Sequence, residues 1–486
     1  MNIVLAASEA YPFCKTGGLA DVVGAITQEF SRARGAKVLL MLPYYRKVKN
    51  TASLKAVPGS FLVPVGNHVE PARLYYLKWG NALVFFINSG RYFDRPGLYN
   101  EHNKDYSDND ERFIFFSRAV LEACKFIGFK PDIIHAHDWQ TGLIPAYIET
   151  VYKTDAYFAR TRTVFTIHNI AYQGYYPKST FDKAGFYGPD FTPDKFEYWG
   201  GISFLKAGIV FSTRVTTVSP TYAKELINGR NSFGLEGVLR SKGPAFSGII
   251  NGLDTDVWDP QNDSLIPMGY DEESLRGKVL CKTALQKELG LDVNENIPLC
   301  VMVSRLTYQK GIDLAVSAVP AMAGKMQFVF LGKGDPKAEN TLKNLAASNP
   351  RNIAFCGVVD ENLAHQVYAA GDFYLMPSRF EPCGLSQMIA MRYGTIPVAT
   401  KTGGLADTVN GFTNTDSLGQ ATGFFVDNFE TNSLIYTLNR AFEVYNNKRA
   451  FARLRENAML KDFSWDSSSA AYLRLYEEAL RLGNRW

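Results

Sequence analysis

A chain of 486 residues is too long for one ordinary core, and length alone suggests about three domains. A formal net charge of +4, from 52 Lys and Arg against 48 Asp and Glu, gives no basic field for nucleic acid, and no Lys- or Arg-rich block supplies one locally. The six cysteines are scattered without a CxxC pair and no long apolar run is present, so a disulfide framework, a zinc site and a membrane span are all unexpected, and a soluble, cytoplasmic protein is expected.

The chain opens on a strand-like run, Ile3-Val4-Leu5-Ala6-Ala7, and reaches a loop, Lys15-Thr16-Gly17-Gly18-Leu19-Ala20-Asp21-Val22-Val23. The phrase returns as Lys401-Thr402-Gly403-Gly404-Leu405-Ala406-Asp407-Thr408-Val409, differing only at Thr408. Paired glycines let a backbone turn tightly against a ligand, and the free N–H groups of a following helix attract anions. Two such junctions, one in each half, suggest loops converging on one phosphorylated or polyhydroxylated ligand. Read blandly, both are helix-start turns used for packing.

Short β-branched runs then alternate with helical periodicity. Residues 37–42, 82–87, 132–135, 163–167 and 214–218 read as strands, with helices over 110–126 and 141–152. After the turn-rich segment Asn251-Gly252-Leu253-Asp254 the pattern restarts. Strands are expected at 299–303, 327–331, 352–355, 373–376 and 397–399, and helices at 311–322, 337–347, 362–370 and 385–393. The alternation predicts an α/β protein with parallel sheets covered by helices on both faces. Domain boundaries are expected at 1–250, 251–465 and a final amphipathic helix within 466–486. Ligands of doubly wound sheets bind beyond the carboxyl ends of the strands, so two such domains would hold theirs in the cleft where they face each other.

The chemistry gathers at those strand ends. His135-Ala136-His137-Asp138-Trp139 looks superficially like a metal pair but lacks further ligands at a convincing spacing. Asp138 suits hydroxyl groups better, and His168-Asn169 is expected at the rim of a site. Arg305 and Lys310 flank a strand-to-helix loop, where a guanidinium fork and an ammonium could neutralise a diphosphate. In Pro377-Ser378-Arg379-Phe380-Glu381-Pro382-Cys383-Gly384-Leu385, Glu381 can accept hydroxyl hydrogen bonds from a hexose, and the amides of Cys383, Gly384 and Leu385 can contact ligand oxygens. Cys383 reads as a contact residue rather than a nucleophile. A nicotinamide dehydrogenase is disfavoured because the first loop lacks the G-x-G-x-x-G spacing.

Together these phrases resemble glycosyltransferase family 5, the bacterial glycogen synthases and plant starch synthases, along nearly the whole chain. The resemblance implies a GT-B fold of two Rossmann-like domains, an acceptor-side first and a nucleotide-sugar-binding second, with the last helix crossing back to the first. It implies transfer of glucose from ADP-glucose to the non-reducing end of glycogen or another α-1,4-glucan, with retention, and with no metal ion or other cofactor. Carried over by position, Lys15, Gly17 and Gly18 meet the sugar nucleotide, and Arg305 and Lys310 bind its diphosphate. Glu381 holds sugar hydroxyls, and His168 contacts the transferred glucose. Asp138, Asn169 and Asn251 add contacts, and Thr402, Gly403 and Gly404 lie near the phosphates. Val359 stands where the family often carries an aromatic residue able to stack on adenine, which leaves UDP-glucose open as a donor. A catalytically silent glucan-binding protein on this fold is the remaining alternative.

Overall fold

The computed structural model describes residues 1–49, 51–102, 104–358 and 360–482. Val359 therefore lies outside the described residues. The chain divides into two compact units, Met1–Gly252 joined by the segment from Trp465, and Leu253–Ser464.

In the second unit six strands form an all-parallel sheet in the order Ile353–Cys356, Gln327–Leu331, Leu299–Val303, Phe373–Met376, Ile396–Thr400, Phe424–Val426. Counted along this unit the order is 3-2-1-4-5-6, the doubly wound arrangement. The strands read as near-continuous buried runs, as sheets covered on both faces must. The strand order reverses between Leu299–Val303 and Phe373–Met376, so the loops leaving these two strands diverge and open a crevice.

The first unit repeats this plan. Its parallel strands run Phe246–Gly248, Arg214–Thr217, Arg162–Ile167, Ile133–His137, Asn2–Ala6, Lys37–Pro43, Ala82–Asn88. Here the reversal falls between Asn2–Ala6 and Ile133–His137. The sheet is not purely parallel, as the sequence suggested: the long strand His68–Trp79 pairs antiparallel to Ala82–Asn88, and Phe61–Val65 and Lys55–Ala56 pair antiparallel to it. A tight turn at Gly80, with φ of 60°, makes that hairpin where a crossover helix would be needed for a parallel strand.

The last helix, Trp465–Arg481, belongs to the first unit. Phe30 meets the rings of Tyr472 and Tyr476 edge-on at 6.1 and 5.3 Å, and Ser468 Oγ donates to the Ile250 carbonyl at 2.6 Å.

Candidate active site

Apart from His135 and His137, which lie within a strand, the described residues singled out from the sequence follow the carboxyl ends of parallel strands, as the crevice rule requires. In the second unit, Leu299–Val303 leads into the loop carrying exposed Arg305 and a short turn, Tyr308–Lys310. Gly311 ends that turn with φ of 67°, and a Cβ there would lie 1.9 Å from the Pro377 carbonyl oxygen. Only glycine lets the Lys310 turn press against the end of the neighbouring strand. The Arg379 amide donates to the Gln309 carbonyl at 2.8 Å, and its guanidinium grips both Asp313 oxygens at 2.7 and 2.6 Å while lying 3.5 Å over the Tyr308 ring.

These ties bring Lys310 Nζ to 2.5 Å from Glu381 Oε2, and Ser378 Oγ donates to the same oxygen at 3.1 Å. Glu381 is buried, so its charge must be matched, and Lys310 matches it. Gly384 takes φ of 73°, and the Gln387 amide donates to the carbonyls of Cys383 and Gly384 at 3.1 and 2.8 Å, which fixes the Cys383–Leu385 turn. The thiol of Cys383 is buried in that turn.

The two copies of the Lys-Thr-Gly-Gly-Leu phrase are not equivalent. At Gly17, which precedes the helix Gly18–Arg32, a Cβ would meet nothing within 4 Å, and no side chain caps the helix. Lys15 is exposed and paired with Asp21 at 2.7 Å. In the second copy Thr402, Gly403 and Gly404 are buried. A Cβ on Gly403 or Gly404 would lie 2.0 Å from the Glu381 carbonyl oxygen or 2.1 Å from that of Cys383, and the Gly404 amide already donates to Glu381 O at 3.0 Å. The second copy braces the Glu381–Cys383 turn from beneath, whereas the first opens its glycine outward.

In the first unit His135 and His137 both sit inside the strand Ile133–His137, two residues longer than expected at its end. Among the described residues no group of three or more His, Cys, Asp or Glu is placed to hold a metal ion. His135 hydrogen-bonds Tyr476 OH at 2.7 Å and Thr166 Oγ1 at 2.6 Å, and His137 Nδ1 meets His168 Nε2 at 3.0 Å. Burial pushes all three imidazoles down, His135 and His168 to about 3, so all are neutral at pH 7.

Asp138, expected as a hydroxyl contact, is tied to two backbone amides. Its Oδ1 takes the His168 amide at 2.7 Å and it also accepts from the Asn169 amide, so it clamps two strand ends together. Its own backbone is held at φ of 57°, a strained value for a non-glycine residue. Burial lifts its carboxyl to about 7. Asn169 spends Oδ1 on the Ala171 amide at 3.1 Å, while Asn251 is buried with Oδ1 unmatched.

One residue escaped the sequence reading as a site member. Glu9, buried just past the first strand, accepts from the Thr16 amide, from Thr16 Oγ1 at 2.9 Å and from Tyr99 OH at 3.2 Å, and so shapes the Lys15 loop. Burial raises its carboxyl. The only signal was an acid amid apolar neighbours, and its partnership with Tyr99 spans 90 positions of sequence.

Two doubly wound units with cations and carboxylates at their strand ends define a GT-B glycosyltransferase, and comparison with known proteins agrees. Residues 2–241 match the starch synthase catalytic domain family and residues 297–443 match glycosyl transferases group 1. The chain is 56% identical to a glycogen synthase of Elusimicrobium minutum over 99% of this chain and 100% of that one, and 41% identical to a glycogen synthase of Thermodesulfovibrio yellowstonii over 98% and 97%. It superimposes on the catalytic domain of starch synthase IV from Arabidopsis thaliana, bound to ADP and acarbose, with a TM-score of 0.92, 34% identity and 99% of each chain covered. A sucrose-phosphate synthase from Thermosynechococcus elongatus, at 17% identity and TM-score 0.61, shares the fold alone. The chain belongs to the glycogen and starch synthase family of glycosyltransferases. Among the described residues no helix is long and apolar enough to cross a membrane.

Proposed function

We propose that this chain is a glycogen synthase that transfers glucose from ADP-glucose to the non-reducing end of an α-1,4-glucan with retention, and that it works in the cytoplasm. The observation that carries this reading is the Lys310–Glu381 pair at the strand-order reversal of the second unit, with Arg305 exposed in the same loop. A buried carboxylate beside a cation is a holder for sugar hydroxyls next to a phosphate. The ADP in the Arabidopsis relative supports the adenine donor. The six cysteines, none of them in a disulfide, support a reducing compartment.

Arg305 and Lys310 take the diphosphate, Lys15 and the Gly17–Gly18 turn meet the sugar nucleotide, and Glu381 with the Cys383–Leu385 turn holds glucose hydroxyls. His168, neutral and presented from a strand end, contacts the transferred glucose, and Asn169 and Asn251 add polar contacts. Thr402, Gly403 and Gly404 serve by bracing Glu381.

Retention follows by front-face attack. The bond from the anomeric carbon to the diphosphate oxygen breaks as the acceptor 4-hydroxyl bonds to that carbon from the same side, and the hydroxyl proton passes to the leaving phosphate. The alternative, a covalent glucosyl-enzyme, needs a free carboxylate below the ring. Asp138 is committed to two amides and Glu381 to Lys310. The cations carry the charge that develops on the leaving group, so Arg305→Ala should lower kcat by about 10²–10³. Near-normal turnover in that variant would remove Arg305 from the mechanism.

The deciding experiment is transfer of labelled glucose to glycogen from ADP-glucose and from UDP-glucose in parallel. Preference for ADP-glucose supports the reading, equal or better use of UDP-glucose keeps the reaction and replaces the donor, and no incorporation from either overturns it.

A further inference from the structure

The segment that leaves the candidate site at His168 runs to a small antiparallel sheet of Tyr175–Pro177, Gly201–Ser203 and Glu197–Tyr198. Tyr176 in its first strand packs 6.1 Å from the ring of Trp139, next to Asp138. The hairpin that closes the sheet has a two-residue turn, Trp199–Gly200, with φ of 49° and 80°. Both values are positive, a turn that strongly favours Asn, Asp or Gly at its first position. A tryptophan there works against the local backbone, and with 77% of it exposed it is not repaid by burial.

The strain is not isolated. Among the described residues five non-glycine residues have positive φ, and Trp199, Asn231 and Phe233 are three of them. The loop of Phe233 abuts the hairpin: Tyr198 OH donates to the Phe233 carbonyl, and a Cβ on Gly234 would sit 3.5 Å from Trp199 Nε1. Tyr175 OH donates to the Trp199 carbonyl at 3.1 Å. Tyr175 and Phe233 are themselves 51% and 48% exposed. The result is a shelf of three aromatic side chains, held in place by backbone hydrogen bonds and open to solvent.

Two cations near the shelf are already paired. Lys195 pairs with Asp190 at 2.6 Å, Arg230 with Glu225 at 3.7 Å, and Glu197 accepts the Gly200 amide at 2.7 Å. A surface with aromatic faces, polar edges and nearby cations already paired suits a neutral, amphipathic ligand. The C–H face of a pyranose ring lies on an aromatic face for the same electrostatic reason that ring edges do, while its hydroxyls can accept from the indole N–H and donate to the phenol oxygen. An anionic lipid surface would call for unpaired cations instead.

We infer that Trp199, Tyr175 and Phe233 form an outer binding platform for the glucan acceptor, continuous with the strand-end loop that begins at His168. The choice of a glucan as occupant rests on the function proposed above. Distant sugar units held here keep the enzyme on a polymer between transfers, which a short oligosaccharide would not exploit.

Trp199→Asn removes the ring and places a preferred residue in the turn, so the variant folds at least as well as the wild type. The full-length chain is run through native gels containing glycogen, without any nucleotide sugar. The wild type should be retarded, Trp199→Asn should lose about tenfold in apparent affinity, and Trp199→Tyr should keep most of it. In the transfer assay the loss should fall on the KM for glycogen rather than on kcat. Equal retardation of wild type and Trp199→Asn overturns the platform, as does a wild type that is not retarded. So does light scattering that shows a dimer split by Trp199→Asn, which would give the shelf to a second copy of the chain. Because the gels contain no donor, a chain that binds glycogen through Trp199 yet transfers nothing would leave the platform standing and defeat the proposed function.

Discussion

The resting site spends its own charges on each other. Buried Glu381 is paired with partly exposed Lys310, and a donor diphosphate must compete with that carboxylate for the cation. Glu381→Gln removes the competitor together with a like-charge neighbour of the phosphates. It should bind ADP more tightly, by about threefold to tenfold, the worth of one modest charge interaction, while transferring glucose more slowly. Isothermal titration with ADP set beside kcat separates the two effects, and weaker ADP binding would show that Glu381 positions Lys310 rather than restraining it. The histidines give a second residue-scale consequence. His135, His137 and His168 are held neutral by burial, well below the ordinary imidazole value, so below about pH 6.5 the unfolded chain binds protons that the folded chain refuses. Stability therefore falls as pH drops, by about 1.4 kcal/mol per pH unit for each such group. Asp138 and Glu9 act in the opposite sense, since their raised carboxyls gain protons on folding between the ordinary carboxylate range and, for Asp138, about 7. His137→Asn isolates one histidine: urea midpoints from pH 7.5 to 5 should fall less steeply for the variant than for the wild type. Parallel slopes would mean that His137 is protonated in the folded state.

One nine-residue phrase is used for two opposite purposes at the scale of the element. Gly17 faces open space and has an extended φ of −159°, so Gly17→Ala should change stability by less than about 0.5 kcal/mol. Its effect, if Gly17 meets the donor, should appear in the KM for nucleotide sugar. Gly404 is packed against the Cys383 backbone, so Gly404→Ala must push the Glu381 turn aside and should cost about 1–3 kcal/mol together with most of the activity. Comparing melting temperature and KM for the two variants tests the assignment, and similar stability losses would refute it. This contrast also marks how far the sequence was legible. Parallel strands, such as Leu299–Val303 and Gln327–Leu331, announce themselves because burial on both faces demands unbroken apolar runs. The strand-end positions of Arg305 and Glu381 were legible because each follows an unbroken apolar run, Leu299–Val303 and Phe373–Met376. What could not be read was pairing at long range: that Glu9 accepts from Tyr99, that Asp138 takes the amides of His168 and Asn169, or that Gly404 lies under Cys383. The strained turn at Trp199 was equally silent, since it contradicts the local preference from which turns are read.

The division of labour in the whole molecule follows from where each core closes. The second unit buries its own apolar residues, from Cys300 to Ala458, around its six strands. The first unit does not close without the end of the chain: Trp465, Tyr472, Leu475, Tyr476 and Ala479 complete the core that includes Ile3, Phe30 and Val38. Removing the final helix would uncover Phe30 and leave buried His135 without the Tyr476 hydroxyl. Truncating a single buried large aromatic costs about 3–5 kcal/mol, so losing Trp465, Tyr472 and Tyr476 together would consume most of the roughly 5–15 kcal/mol that holds a domain folded. A fragment of residues 253–464 should therefore unfold cooperatively on its own. Residues 1–252 alone should not, and residues 465–482 fused through a flexible linker should restore the transition. Calorimetry of the three fragments decides the matter. A cooperative transition in residues 1–252 alone would show that the final helix decorates the first unit rather than completing it.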